Sequence, residues 1–122
     1  MSPSWSVEFY EDETGRPVEE FLKALEQPKR AKMLAIIKML EEQGPTLPFP
    51  YSSQVEGKLR ELRTHYGEEL YRVLYYGAPD RVYVLLHAFL KRTKKTPRRE
   101  IEIASERMKR SAEARSQKRR RQ

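Results

Sequence analysis

The chain of 122 residues contains no cysteine. That removes disulfide frameworks, thiolate metal sites and cysteine nucleophiles, and it fits a reducing compartment. Histidine is nearly absent too. His65 and His87 are too few for an all-histidine zinc site, and no HExxH spacing joins them. Only five glycines occur, with no glycine-rich phosphate loop and no GxSxG elbow among them. No window approaches the roughly eighteen apolar residues of a membrane span. Met1-Ser2-Pro3-Ser4-Trp5 has no basic start followed by an apolar run, so no signal peptide is expected. The length predicts one domain, large enough to bury a core without a covalent staple.

Acidic residues are scarce in the second half. Residues 1–56 hold 6 basic and 10 acidic side chains, a net of −4, whereas residues 57–122 hold 19 basic and 8 acidic, a net of +11. Part of that excess lies in residues 107–122, with eight basic residues against Glu113. Asymmetry of this kind points to a polyanionic partner on the C-terminal side. The division expected is a single domain over 1–110 followed by a basic tail over 111–122.

Trp5, Val7 and Phe9 alternate with Ser6, Glu8 and Tyr10, a period-two strand. Val18, Phe21, Leu22 and Leu25 recur at helical spacing over 16–26, with Pro17 suited to a first helical position. After Pro28 a second helix carries Met33, Ile36, Ile37 and Leu40 on one stripe and ends at Gly44-Pro45. The proline-rich stretch 44–57 reads as a rigid loop. Three strand-like runs follow, Lys58 to Thr64, Leu70 to Tyr76 and Arg81 to Leu90, joined by short turns as an antiparallel meander. The third run is apolar on both faces and belongs inside the sheet. Thr96-Pro97 opens a last helix, which from Ser111 onward becomes either a helical extension or a disordered tail. The order β-α-α-β-β-β-α predicts an α+β fold of two layers. In it the N-terminal strand and helical hairpin pack on a twisted antiparallel sheet, and its other face or an edge is left partly open.

Acid–base catalysis usually needs paired carboxylates or histidine at reacting distance. Here Glu11, Asp12, Glu13, Glu19 and Glu20 crowd the first helix, where a solvated face accounts for them. Glu61, Glu68, Glu69 and Asp80 are scattered, unlike the carboxylate cluster of a metal nuclease. Cations are the better signal. Lys58, Arg60 and Arg63 share a strand, and Lys91-Arg92-Thr93-Lys94-Lys95 follows the third. Arg72 sits inside Leu70-Tyr71-Arg72-Val73-Leu74, an unfavourable place for a charge unless it is paired or functional. A partner for it is available in Glu61 or Glu8. Alternatively, Arg63, Arg72 and the Lys91 cluster share a surface that holds phosphate.

Three stretches carry a resemblance: Lys58-Leu59-Arg60-Glu61-Leu62-Arg63, Tyr71-Arg72-Val73-Leu74-Tyr75-Tyr76, and His87 through Thr96-Pro97-Arg98-Arg99-Glu100-Ile101. The chain resembles the RelE/ParE superfamily of toxins from type II toxin–antitoxin systems, in particular the HigB-like, phage-derived branch. The resemblance implies a RelE-like fold, an endoribonuclease that cleaves messenger RNA, often at the ribosome, and a cognate antitoxin expected to carry a helix-turn-helix. It implies a bacterial cytoplasmic protein that uses no metal and no cofactor. Basic residues would make the ribose 2′-hydroxyl attack the adjacent phosphate. By position, Arg63, Arg72, Lys91 and Lys95 are the expected catalytic groups, and Lys58, Arg60, Arg92, Lys94 and Tyr76 the RNA-binding ones. Lys91 or Lys95 suits the role of base better than Arg92, because a lysine flanked by cations loses its proton more readily than an arginine. Some relatives place an aromatic acid–base residue near the C-terminus. No Tyr follows Tyr83 and no His follows His87 here, so the proton donor is Tyr71, Tyr76, His87 or a lysine, or is lacking. The alternatives are a ParE-like inhibitor of DNA gyrase without ribonuclease activity, and an inactive module that binds RNA or antitoxin.

Overall fold

The computed structural model describes residues 5–120; the first four residues, where no leader is expected, and the last two of the basic tail lie outside the described residues. Strand β1 (Ser6–Phe9) leads into helices α1 (Pro17–Ala24) and α2 (Gln27–Gln43). Prolines occupy the first turns of both helices, where their missing N–H costs nothing, and Gly44 at φ 56° ends α2. Four strands follow: β2 (Ser52–Glu56), β3 (Leu59–Tyr66), β4 (Glu69–Ala78) and β5 (Val82–Lys91). Helix α3 (Arg98–Arg120) completes the described chain.

The α+β class and the hairpin on a sheet are as expected, with two differences in the sheet. Its order is β1-β5-β4-β3-β2, and β1 pairs parallel to β5, with Ser6 opposite Val82 and Phe9 opposite Leu85. The sheet is therefore mixed rather than antiparallel. Short turns force antiparallel pairing only between strands adjacent in sequence, whereas a strand separated by a helical crossover can take the open edge of β5 in the other sense. Residues 52–56 also form an edge strand within the expected loop. Prolines 45, 48 and 50 stop short of it, so its N–H groups remain free to pair.

Both faces of the sheet are covered. On one, Leu62, Val73, Tyr75 and Leu85 pack against Val18, Leu22, Met33, Ile36 and Leu40 of the hairpin. Burying Met33 or Leu40, both wholly enclosed, is worth roughly 1.5–3 kcal/mol each. The other face, expected to be partly open, carries Leu59, Leu74, Tyr76, Val84 and Leu86 against Ile101, Ala104 and Met108 of α3. A bulge in β5 helps to seat that helix. Leu74 faces His87 but Tyr75 faces Leu85, so Leu86 is the extra residue. Leu86 and His87 both turn toward α3 as a result. His87 Nε2 lies 3.2 Å from Glu100, and Arg107 lies 3.3 Å from Nδ1. Past residue 111 the chain stays helical through Arg120. Tyr76 bonds Ser111 at 2.8 Å, and Arg115 reaches Glu8 and Asp80 at 3.0 Å each.

Candidate functional site

The register of β3, β4 and β5 decides which cations meet. Arg63 stands opposite Arg72, Arg72 opposite Phe89, and Leu70 opposite Lys91. Because side chains alternate across a strand, Glu61, Arg63, Arg72 and Lys91 all fall on the face that carries α3. The helix begins only at Arg98, so this end of the face is left to polar groups. Glu61, Arg72 and Lys91 are nonetheless buried, at 4%, 4% and 8% exposure.

Glu61 is the hub. One carboxylate oxygen lies 3.5 Å from Arg72 Nε, the other 4.0 Å from Arg63 Nη1, and Thr96 Oγ1 donates to both at 3.0 and 3.2 Å. Arg72 Nη1 donates to the carbonyl of Tyr71 at 2.9 Å. The Nε groups of Arg63 and Arg72 are buried without a hydrogen-bond partner. An unpaired buried donor costs its desolvation, about 1–3 kcal/mol and more when charged, and for Arg72 Nε the nearby Glu61 carboxylate offsets part of that cost. Three cations face one carboxylate, and the surplus favours an anion. Burial pushes the Lys91 ammonium below its ordinary pKa, Arg72 and Arg63 push in the same direction, and Glu61 opposes them. Arg72 is likewise lowered by burial and by Arg63. The neutral amine of Lys91 is thereby made more accessible, while guanidinium keeps its charge.

The remaining expected residues are dispersed. Lys58 is exposed in the turn between β2 and β3. Arg60 points to the hairpin face and donates to Ser52 Oγ at 3.1 and 3.2 Å. Arg92, Lys94 and Lys95 are exposed in the segment between β5 and α3, and the first two line a shallow depression with Lys91, Leu70 and Glu69. Tyr76 is buried beneath α3 and does not reach the cluster. Tyr71 lies on the hairpin face and donates to Glu69, which holds Lys29 at 2.8 Å; burial raises its pKa. His87 is engaged by α3, and burial lowers its pKa. The structure thus brings Arg63, Arg72 and Lys91 together, pairs Arg72 with Glu61 rather than Glu8, and adds Thr96, which sequence reasoning passed over. The alternation Leu59, Glu61, Arg63 already put that carboxylate beside the cations.

Among the described residues, no three His, Asp or Glu side chains gather closely enough to share a metal ion, and no helix is long and apolar enough to cross a membrane. No curated protein matches the chain. A family model described as "Phage derived protein Gp49-like (DUF891)" matches residues 20–109, from the first helix through β5 into α3, including the whole cationic cluster. The chain therefore belongs to the Gp49-like family of phage-derived proteins, a RelE/HigB-type toxin family of toxin–antitoxin systems.

Proposed function

We propose that this toxin, of the HigB-like branch, is a metal-independent endoribonuclease. It acts on messenger RNA at the ribosome in the bacterial cytoplasm and is neutralised by a cognate antitoxin. One observation carries the reading: Arg63, Arg72 and Lys91 converge on one patch, where a single carboxylate, Glu61, faces three cations. Arg63 and Arg72 grip the scissile phosphate and stabilise the charge that grows on its oxygens. Lys91, as the neutral amine, takes the proton from the ribose 2′-hydroxyl. The 2′-oxygen then bonds to phosphorus, and the bond to the 5′-oxygen breaks. Lys95 or water protonates that leaving oxygen. The products are a 2′,3′-cyclic phosphate and a free 5′-hydroxyl.

Expression in a bacterial host tests this. Growth should arrest, and primer extension should reveal new RNA ends. Arg72→Ala should lower cleavage on the order of 100-fold or more while circular dichroism still reports the fold. An Arg72→Ala protein as toxic as the wild type would overturn the assignment. Arrest with DNA damage and no new RNA ends would point instead to gyrase.

A further inference from the structure

Phe49 is the most exposed large apolar side chain among the described residues, at 70%. Leaving a phenylalanine in water forgoes roughly 1.5–3 kcal/mol of burial, so its position calls for a reason. The ring is displayed by construction. Pro48 and Pro50 flank it, and the Pro48 carbonyl accepts the N–H groups of Tyr51 and Ser52 at 3.0 and 3.1 Å, closing a tight turn below it. The ring lies over the Arg63 guanidinium, 5.3 Å from its centroid, within cation–π range. Phe49 is thus tied to the phosphate-gripping patch and still offers surface to solvent.

Its neighbours extend the pattern. The Arg63 N–H donates to the Tyr51 carbonyl at 2.9 Å, one residue beyond the pairing of Ser52 with Leu62. Tyr51, in the turn just before β2, is therefore held beside Arg63 by its backbone. Leu70, opposite Lys91, bounds the patch on its other side. Of the five large apolar side chains most exposed, Phe49, Tyr51 and Leu70 thus border this one cluster, apart from Leu34 and Tyr66. Aromatic surface interleaved with cations suits an unpaired nucleic-acid strand, whose phosphates take the charges and whose bases stack on the rings.

We infer that Phe49 is a stacking platform for the unpaired nucleobase next to the phosphate held by Arg63 and Arg72, with Tyr51 extending it. The inference rests on the ribonuclease reading and adds to it a residue outside the cationic cluster that holds the base beside the scissile phosphate. Phe49 is a positioning residue here, because it sets the phosphate against the cluster by holding the adjacent base.

The test uses the full chain and two uncleavable 2′-O-methyl oligoribonucleotides, one intact and one abasic throughout, with binding followed by fluorescence anisotropy. Phe49→Ala should weaken binding of the intact strand by about tenfold, within the range known for base–aromatic contacts, and leave the abasic strand unaffected. Phe49→Trp should restore the loss, and Phe49→Leu, which keeps apolar bulk, should not. The salt slope, near −0.7 per neutralised phosphate for single strands, should be the same in every variant. Equal losses on both strands, or on neither, overturn the platform while leaving the ribonuclease reading intact. A wild-type protein that binds neither strand overturns the platform, while the ribonuclease reading is decided separately by the RNA ends found on expression. If Phe49→Ala loses antitoxin affinity but keeps its affinity for the intact strand, the ring serves a protein partner and the inference fails.

Discussion

The two faces of the sheet are built on different principles. The hairpin face is an apolar layer, continuous from Val18 through Leu62 to Leu85, and its polar groups are paired, as Arg60 and Tyr75 are with Ser52. The α3 face is apolar only under the helix. Beyond the start of α3 it carries buried Glu61, Arg72 and Lys91 and half-buried Arg63, with the Nε groups of both arginines lacking a hydrogen-bond partner. One face is an apolar core and the other, past the start of α3, concentrates charge. A buried ion cluster is weak support for a fold, since desolvation offsets most of the attraction. The hairpin side must therefore supply what the cationic end does not.

The largest contrast should come from truncating each side in turn. Leu85→Ala, at a wholly enclosed position of the hairpin face, should cost about 2–5 kcal/mol in denaturant unfolding. Replacing Glu61, Arg72 and Lys91 together by leucine should be neutral or stabilise the protein by about 1–4 kcal/mol, because the buried ions leave a dry site together. The same triple variant should lose toxicity completely. If it unfolds as Leu85→Ala does, the cluster is structural and the contrast between the faces is wrong.

How much of this was legible follows from what the sequence encodes locally. The helical hairpin and the three meander strands were readable because stripe and alternation are properties of single segments. Arg72 stood out as a charge inside an apolar strand. Strand β2 did not, since an edge strand of Ser52, Gln54 and Glu56 buries too little to show an apolar pattern. The parallel seat of β1 depends on which edge of β5 lies open, a tertiary fact. The Leu86 bulge shifts the facing of every residue after it in β5, and strict alternation misplaces His87 for that reason. Phe49 did not stand out either, because a single aromatic between two prolines makes no periodic pattern and its contact with Arg63 is tertiary.

A smaller effect concerns the helix that divides the second face. His87 accepts from Arg107 and lies against Glu100, which suits the neutral ring with its proton on Nε2. Burial holds its folded pKa below the ordinary 6.5, Arg107 and Arg99 add to this, and Glu100 opposes it. A histidine whose pKa falls on folding binds protons more tightly when unfolded. Its contribution is complete above the unfolded pKa and is lost as pH drops through that value toward the folded one. Melting temperatures taken between about pH 7.5 and 5 should fall on acidification, and His87→Gln should flatten part of that slope. An unchanged slope would mean that α3 docks independently of this ring.

The smallest effect lies at the far end of α3, where Arg115 spans Glu8 on β1 and Asp80 in the turn before β5. The two carboxylates raise the pKa of Arg115, and Asp80 is lowered in return. Both acidic partners are more than half exposed, so the clamp is worth about 1 kcal/mol at most. Arg115→Ala should leave global unfolding nearly unchanged and speed hydrogen exchange over the last turns of α3 only. The cationic cluster stands at the opposite end of a helix of 23 residues, roughly 34 Å long at 1.5 Å per residue, and cleavage by this variant should match the wild type. A loss of cleavage would mean that the end of α3, with Lys118, Arg119 and Arg120, belongs to the same RNA surface, and that the two halves of this face are functionally one.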